Sequence, residues 1–112
     1  MLASFARTNT DGNGYSTHVA GIIGSASYDV AKATTIFGVK VFDNSGFGTY
    51  IAVITGMDFV TSNYTNRECL NGIFVNMSRG GSFSVTANAA AVNMVTKSVF
   101  LAVAAGNDYN DA

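Results

Sequence analysis

Gly72-Ile73-Phe74-Val75-Asn76-Met77 is a short apolar run, rich in β-branched and aromatic residues and closed by the turn-forming Ser78-Arg79-Gly80-Gly81. Its length and composition predict a buried strand. Downstream, Val85, Ala89, Val92 and Val95 mark a helix, and residues 99–105 form another apolar run. Two strands joined by a helix of this length lie parallel in one sheet, because a tight turn cannot return the chain to a parallel neighbour. Upstream the alternation repeats. Residues 33–42 read as a largely buried strand, broken by Asp43-Asn44-Ser45-Gly46. Tyr50, Val53, Ile54, Met57 and Val60 or Thr61 then recur at the spacing of an amphipathic helix over 49–62. Residues 1–14 are polar and read as a loop, ending in Asp11-Gly12-Asn13-Gly14. A short apolar helix follows, with Ser16 or Thr17 able to cap it, which places His18 in its first turn. The pattern is α/β, with a parallel sheet, flanking helices and functional loops at the carboxyl ends of the strands.

Composition narrows the function classes. With 112 residues the chain holds one domain, and 48% hydrophobic against 12% charged residues is a globular balance. Six basic and seven acidic residues give a net charge of -1, which lacks the basic footprint of a nucleic-acid binder, so nucleic acid is not an expected partner. The apolar runs fall far short of the roughly 20 residues that span a bilayer, so no membrane segment is expected. The apolar start is interrupted at Arg7, too early for a secretory signal. Cys69 is the single cysteine; it is either a free thiol or has a partner outside the chain.

The candidate chemistry lies in five segments. Asp11-Gly-Asn-Gly-Tyr-Ser-Thr-His18-Val-Ala-Gly21 resembles the histidine motif of subtilases, the subtilisin-like serine proteases of peptidase family S8. Residues 37–50, 56–60, 78–81 and 103–107 resemble, in the same order, segments of the proteinase K-like branch. The resemblance covers nearly the whole chain. It implies a partial subtilisin-like three-layer α/β fold and a serine endopeptidase by ancestry, with His18 as the general base that takes the nucleophile's proton. It also implies Asn107 as the oxyanion donor. Gly46, Phe47, Gly48 and Tyr50 on one side, and Ser78, Arg79 and Gly80 on the other, are implied to clamp an extended polypeptide by strand addition, with Phe42 lining a neighbouring apolar subsite. Read without the family, Phe42 is equally a core residue, the glycines ordinary turns and Gly106-Asn107-Asp108 a turn.

The triad's other members are not matched. In subtilisin the three residues follow one another along the chain as Asp, His, Ser. Asp11 is the only acid before His18 and sits in the histidine loop, and no Gly-Thr-Ser-Met-Ala segment follows Asn107. Residues 1–112 are therefore expected to be the central part of a catalytic domain, without its Asp-containing N-terminal part and its Ser-containing C-terminal part, and inactive alone. A non-catalytic remnant that at best binds peptides is the competing reading.

Two departures from the family pattern bear on turnover. Tyr15-Ser16-Thr17-His18 stands where the family has His-Gly-Thr-His, and Ser16 forbids any backbone angle that only glycine permits. Arg79 replaces an apolar residue beside the substrate strand and either selects acidic peptides or points to solvent. The resemblance further implies an extracellular protein, no cofactor, and a propeptide or protein inhibitor as a further partner, with Cys69 paired upstream. No metal ligands are carried over. Asn63-Tyr-Thr65 and Asn76-Met-Ser78 fit the N-glycosylation pattern, the second in a strand expected to be buried. A nucleotide-binding reading fails because Gly12-Asn-Gly14 leads to Thr17 at the last position of the fingerprint, with no strand before it.

Overall fold

A computed structural model describes residues 3–6, 8–27, 30–64 and 71–109. Cys69 and the loop around it lie outside the described residues. The elements run β1 (Ala3–Ser4), α1 (Tyr15–Gly24), β2 (Val39–Lys40), α2 (Tyr50–Tyr64), β3 (Ile73–Met77), α3 (Val85–Thr96) and β4 (Val99–Val103). The chain divides into two compact units, residues 1–56 and 57–112, with the unit boundary falling within α2.

In the first unit β1 pairs parallel with β2, Ala3 opposite Val39 and Ser4 opposite Lys40. The Phe5 amide extends the ladder to the Lys40 carbonyl at 2.7 Å. The opening segment thus contributes a strand where a loop is expected from sequence. Conversely, the β-rich run 33–42 is strand only at Val39–Lys40, and Ile36 and Phe37 are exposed. Strand propensity needs a partner, and among the described residues β1 pairs only Ala3 and Ser4 with this run. Thr49 caps α2, its hydroxyl accepting from the Ala52 amide at 3.2 Å. Gly56 lets α2 approach β2 and the residue after it: a Cβ there would lie 3.4 Å from Cγ1 of Val39 and 2.6 Å from Cγ1 of Val41.

In the second unit β3 and β4 pair parallel over five residues, from Ile73 opposite Val99 to Met77 opposite Val103. The Ala104 amide continues the ladder to the Met77 carbonyl at 3.2 Å. Ser84 caps α3 by accepting from the Ala87 amide. The α3 residues that bury are Ala90 and Met94, an i, i+4 pair, with Met94 at 0% exposure and Val99 of β4 also buried. Val85, Val92 and Val95, from which the helix is read in the sequence, instead lie on its exposed side. Nor is β3 buried on both faces. Ile73, Val75 and Met77 are half-buried, while Phe74 and Asn76 are exposed. The Phe74 ring packs against Phe100 opposite, centroids 5.5 Å apart. Two parallel pairs, each bridged by a helix in sequence, make the chain α/β as expected.

Candidate functional site

The first unit carries the histidine loop and the 43–50 segment; the second carries 78–80 and Asn107. The loop before α1 is organised by Asp11. One carboxylate oxygen accepts from the Gly14 amide at 3.0 Å; the other accepts from the Thr17 amide and hydroxyl, both at 2.7 Å. These bonds satisfy donors of the first helical turn, which no backbone carbonyl reaches. The Thr17 hydroxyl and then the Thr17 amide hold the Asp11 carboxyl below the ordinary aspartate value of 3.8; desolvation opposes them, and the Gly14 amide and the charge of Lys40 add smaller lowering contributions. Gly14 enters the helix at φ 81°, the left-handed region where glycine meets no Cβ penalty. Asp11, not Ser16 or Thr17, is therefore the capping side chain. The three donors it accepts all come from this loop, at Gly14 and Thr17, and none is the His18 ring.

His18 lies in the first turn of α1, as expected, and is exposed; its backbone amide donates to the Gly14 carbonyl at 3.0 Å. Among the described residues no carboxylate or hydroxyl bonds its ring. Tyr15 and His18 are three apart on one helix and share a face. Ser16 takes an ordinary helical φ, since Ser98 and Tyr109 are the non-glycine residues with positive φ among those described. The backbone therefore accommodates serine at this position.

The 43–47 turn is built by Asp43, whose side chain accepts from the amides of Ser45 and Phe47 while its own amide donates to the Phe47 carbonyl at 2.8 Å. Gly46 adopts φ 81° there. Gly48 is close-packed for an internal reason: a Cβ would meet the Val41 carbonyl oxygen and Cδ1 of Phe42, each at 2.5 Å. Phe42 is half-buried against it, Phe47 is exposed and Tyr50 opens α2 with its ring partly exposed. A cavity of about 360 Å³ borders the turn, lined in part by Phe5, Val41, Asp43, Phe47 and Gly48.

In the second unit, Ser78–Gly80 and Asn107 both emerge from the carboxyl ends of paired strands, where loops of parallel sheets carry function. Asn76 Nδ2 donates to the Ser78 hydroxyl at 2.7 Å, and the Arg79 amide closes a tight turn on the Met77 carbonyl at 2.8 Å. Arg79 is exposed. Gly80 would place a Cβ in open space, with nothing within 4 Å. Gly106, at φ 94°, precedes Asn107, which lines a cavity of about 350 Å³ with Ala105, Gly106 and Tyr109. Asn63, the surface glycosylation candidate, donates its Nδ2 to the Phe59 carbonyl in the last turn of α2.

Residues 4–112 match the model of the subtilase family. The chain belongs to the subtilase family. This subtilase segment is 50% identical to proteinase R of Parengyodontium album over 112 residues, covering 100% of the chain and 29% of that relative. It is 52% identical to a cuticle-degrading protease of Metarhizium anisopliae over 113 residues, again 100% of the chain and 29% of the relative. A crystal structure of a cold-adapted subtilisin-like serine proteinase superposes with TM-score 0.80 at 40% identity, covering 91% of this chain and 36% of that one. The subtilase segment thus spans under a third of the length of these curated relatives. Among its described residues no helix is long and apolar enough to cross a membrane.

Proposed function

We propose that residues 1–112 are part of a subtilisin-type serine endopeptidase domain by ancestry, and that the chain alone does not hydrolyse peptide bonds. The observation that supports this is the family match over residues 4–112, together with a sequence that contains neither the family's Asp-containing strand motif nor its serine motif. Segments 46–50 and 78–80, exposed except at the half-buried Gly46 and Ser78, are the proposed rails for an extended polypeptide, with the open approach to Gly80 as support. Asn107, behind a left-handed glycine at the end of β4, is the proposed oxyanion donor. His18, the sole histidine of the sequence, is the one imidazole the chain can offer as base. By resemblance the protein acts outside the cell on polypeptides and takes a propeptide or protein inhibitor as a further partner.

The non-catalytic reading has support of its own. Asp11 is occupied in capping α1, and a phenol stands at position 15 where the family pattern has an imidazole. Grafting this segment into proteinase R, in place of the matching residues, decides between the readings through hydrolysis of a chromogenic peptide. Activity that His18→Ala abolishes assigns the base to position 18. A chimera that stays silent until Tyr15→His is introduced assigns it to position 15 and makes this chain's loop catalytically disabled.

A further inference from the structure

Asn44 joins the two loops of the first unit. Its Oδ1 accepts from the Thr8 hydroxyl, the Gly12 amide and the Lys40 ammonium, each at 3.2 Å. Its backbone carbonyl lies 3.5 Å from Asn13 Nδ2. A Cβ on Gly12 would fall 2.5 Å from Cγ of Asn44, so the Asn44 amide packs closely on the histidine loop and would have to shift to admit a side chain there. The residues so gathered come from the segment after β1, from the loop that Asp11 ties to α1, and from β2. Asn44 itself sits in the turn that Asp43 folds toward Gly46–Gly48. Three donors converge on an amide oxygen with two lone pairs, one of them a cation, so the position suits a carboxylate at least as well as an amide.

We propose that Asn44 is a positioning residue that sets the loop bearing His18 against the turn bearing Gly46–Gly48. The inference rests on the reading of these loops as imidazole and peptide rail, but its test uses no substrate and no activity, so it stands or fails independently of that reading.

The test is amide hydrogen exchange and the His18 ring resonances of the isotope-labelled 112-residue chain, in Asn44→Ala, Asn44→Asp and Lys40→Met. In Asn44→Ala the Gly12 amide is expected to exchange roughly tenfold faster, and the His18 ring signals to shift, while the amides of β3 and β4 keep their protection. Asn44→Asp restores both readouts, because a carboxylate accepts the same donors. Lys40→Met gives a partial effect of the same sign. Unmoved His18 signals beside a deprotected Gly12 would reduce Asn44 to a local fastener and overturn the proposal. Loss of protection in β3 and β4 as well, or no rescue by Asn44→Asp, would also overturn it.

Discussion

Replacing Gly48 by alanine sets a Cβ 2.5 Å from both the Val41 carbonyl oxygen and the Phe42 ring. Non-bonded carbon contacts are comfortable at about 3.5–4.0 Å, so each approach is short by roughly 1 Å. Phe42 can rotate, but the Val41 carbonyl is backbone, fixed between β2 and the Asp43 turn. The relief must come from shifting that turn. Such overpacking costs about 1–3 kcal/mol, against about 0.4–1 kcal/mol recovered because alanine restricts the unfolded chain. A net loss of roughly 1–2 kcal/mol is expected in urea denaturation followed by circular dichroism, with the slope unchanged. Gly80→Ala is the control, since its Cβ meets nothing within 4 Å; it should leave stability within about 0.5 kcal/mol of the parent or raise it slightly. Equal stability of Gly48→Ala and the parent would refute the steric origin of this glycine.

Three further outcomes are expected. The Asp11 carboxyl, followed by its Cγ resonance, titrates below 3.8; its contribution to stability is complete above the unfolded value of about 3.9 and is lost as pH falls through the lower folded value. Protection of the Gly14 and Thr17 amides should disappear over that same acid range. Ser98 follows the α3 cap at φ 62°, where a Cβ costs roughly 1–2 kcal/mol, so Ser98→Gly should raise the denaturation midpoint by up to about 1 kcal/mol of stability. Met94→Ala empties the fully buried site between α3 and β4 and should cost about 2–5 kcal/mol, with amides of β3 and β4 losing protection first.

The alternation of strands and helices was legible because β3, α3, β4 and α2 each carry a continuous pattern long enough to fix their type. The buried face of α3 was not. Apolar residues occur on several sides of that helix, so periodicity does not choose between Val92 and Met94; the packing of α3 on β4 does. The 33–42 run shows the opposite limit, a strong β composition that, among the described residues, is strand only at Val39–Lys40. Around the site, the position of His18 in the first helical turn followed from local sequence. The roles of Asp11 and Asn44 did not, since each gathers donors from residues separated along the chain: Thr17 for one, Thr8 and Gly12 for the other. The Asp-Gly-Asn-Gly run announces a turn but not which carboxylate caps the helix beyond it. Gly48 reads in sequence as a rail glycine, whereas its packing is also set from within by Phe42 and Val41.

The most direct measurement is the intact mass of the purified 112-residue chain after exposure to a fluorophosphonate, taken beside a peptide-hydrolysis assay. An unmodified mass and no hydrolysis are expected from a subtilase segment that offers His18 and Asn107 without the family's serine motif. A covalent adduct on any serine, or turnover of the peptide, would contradict it.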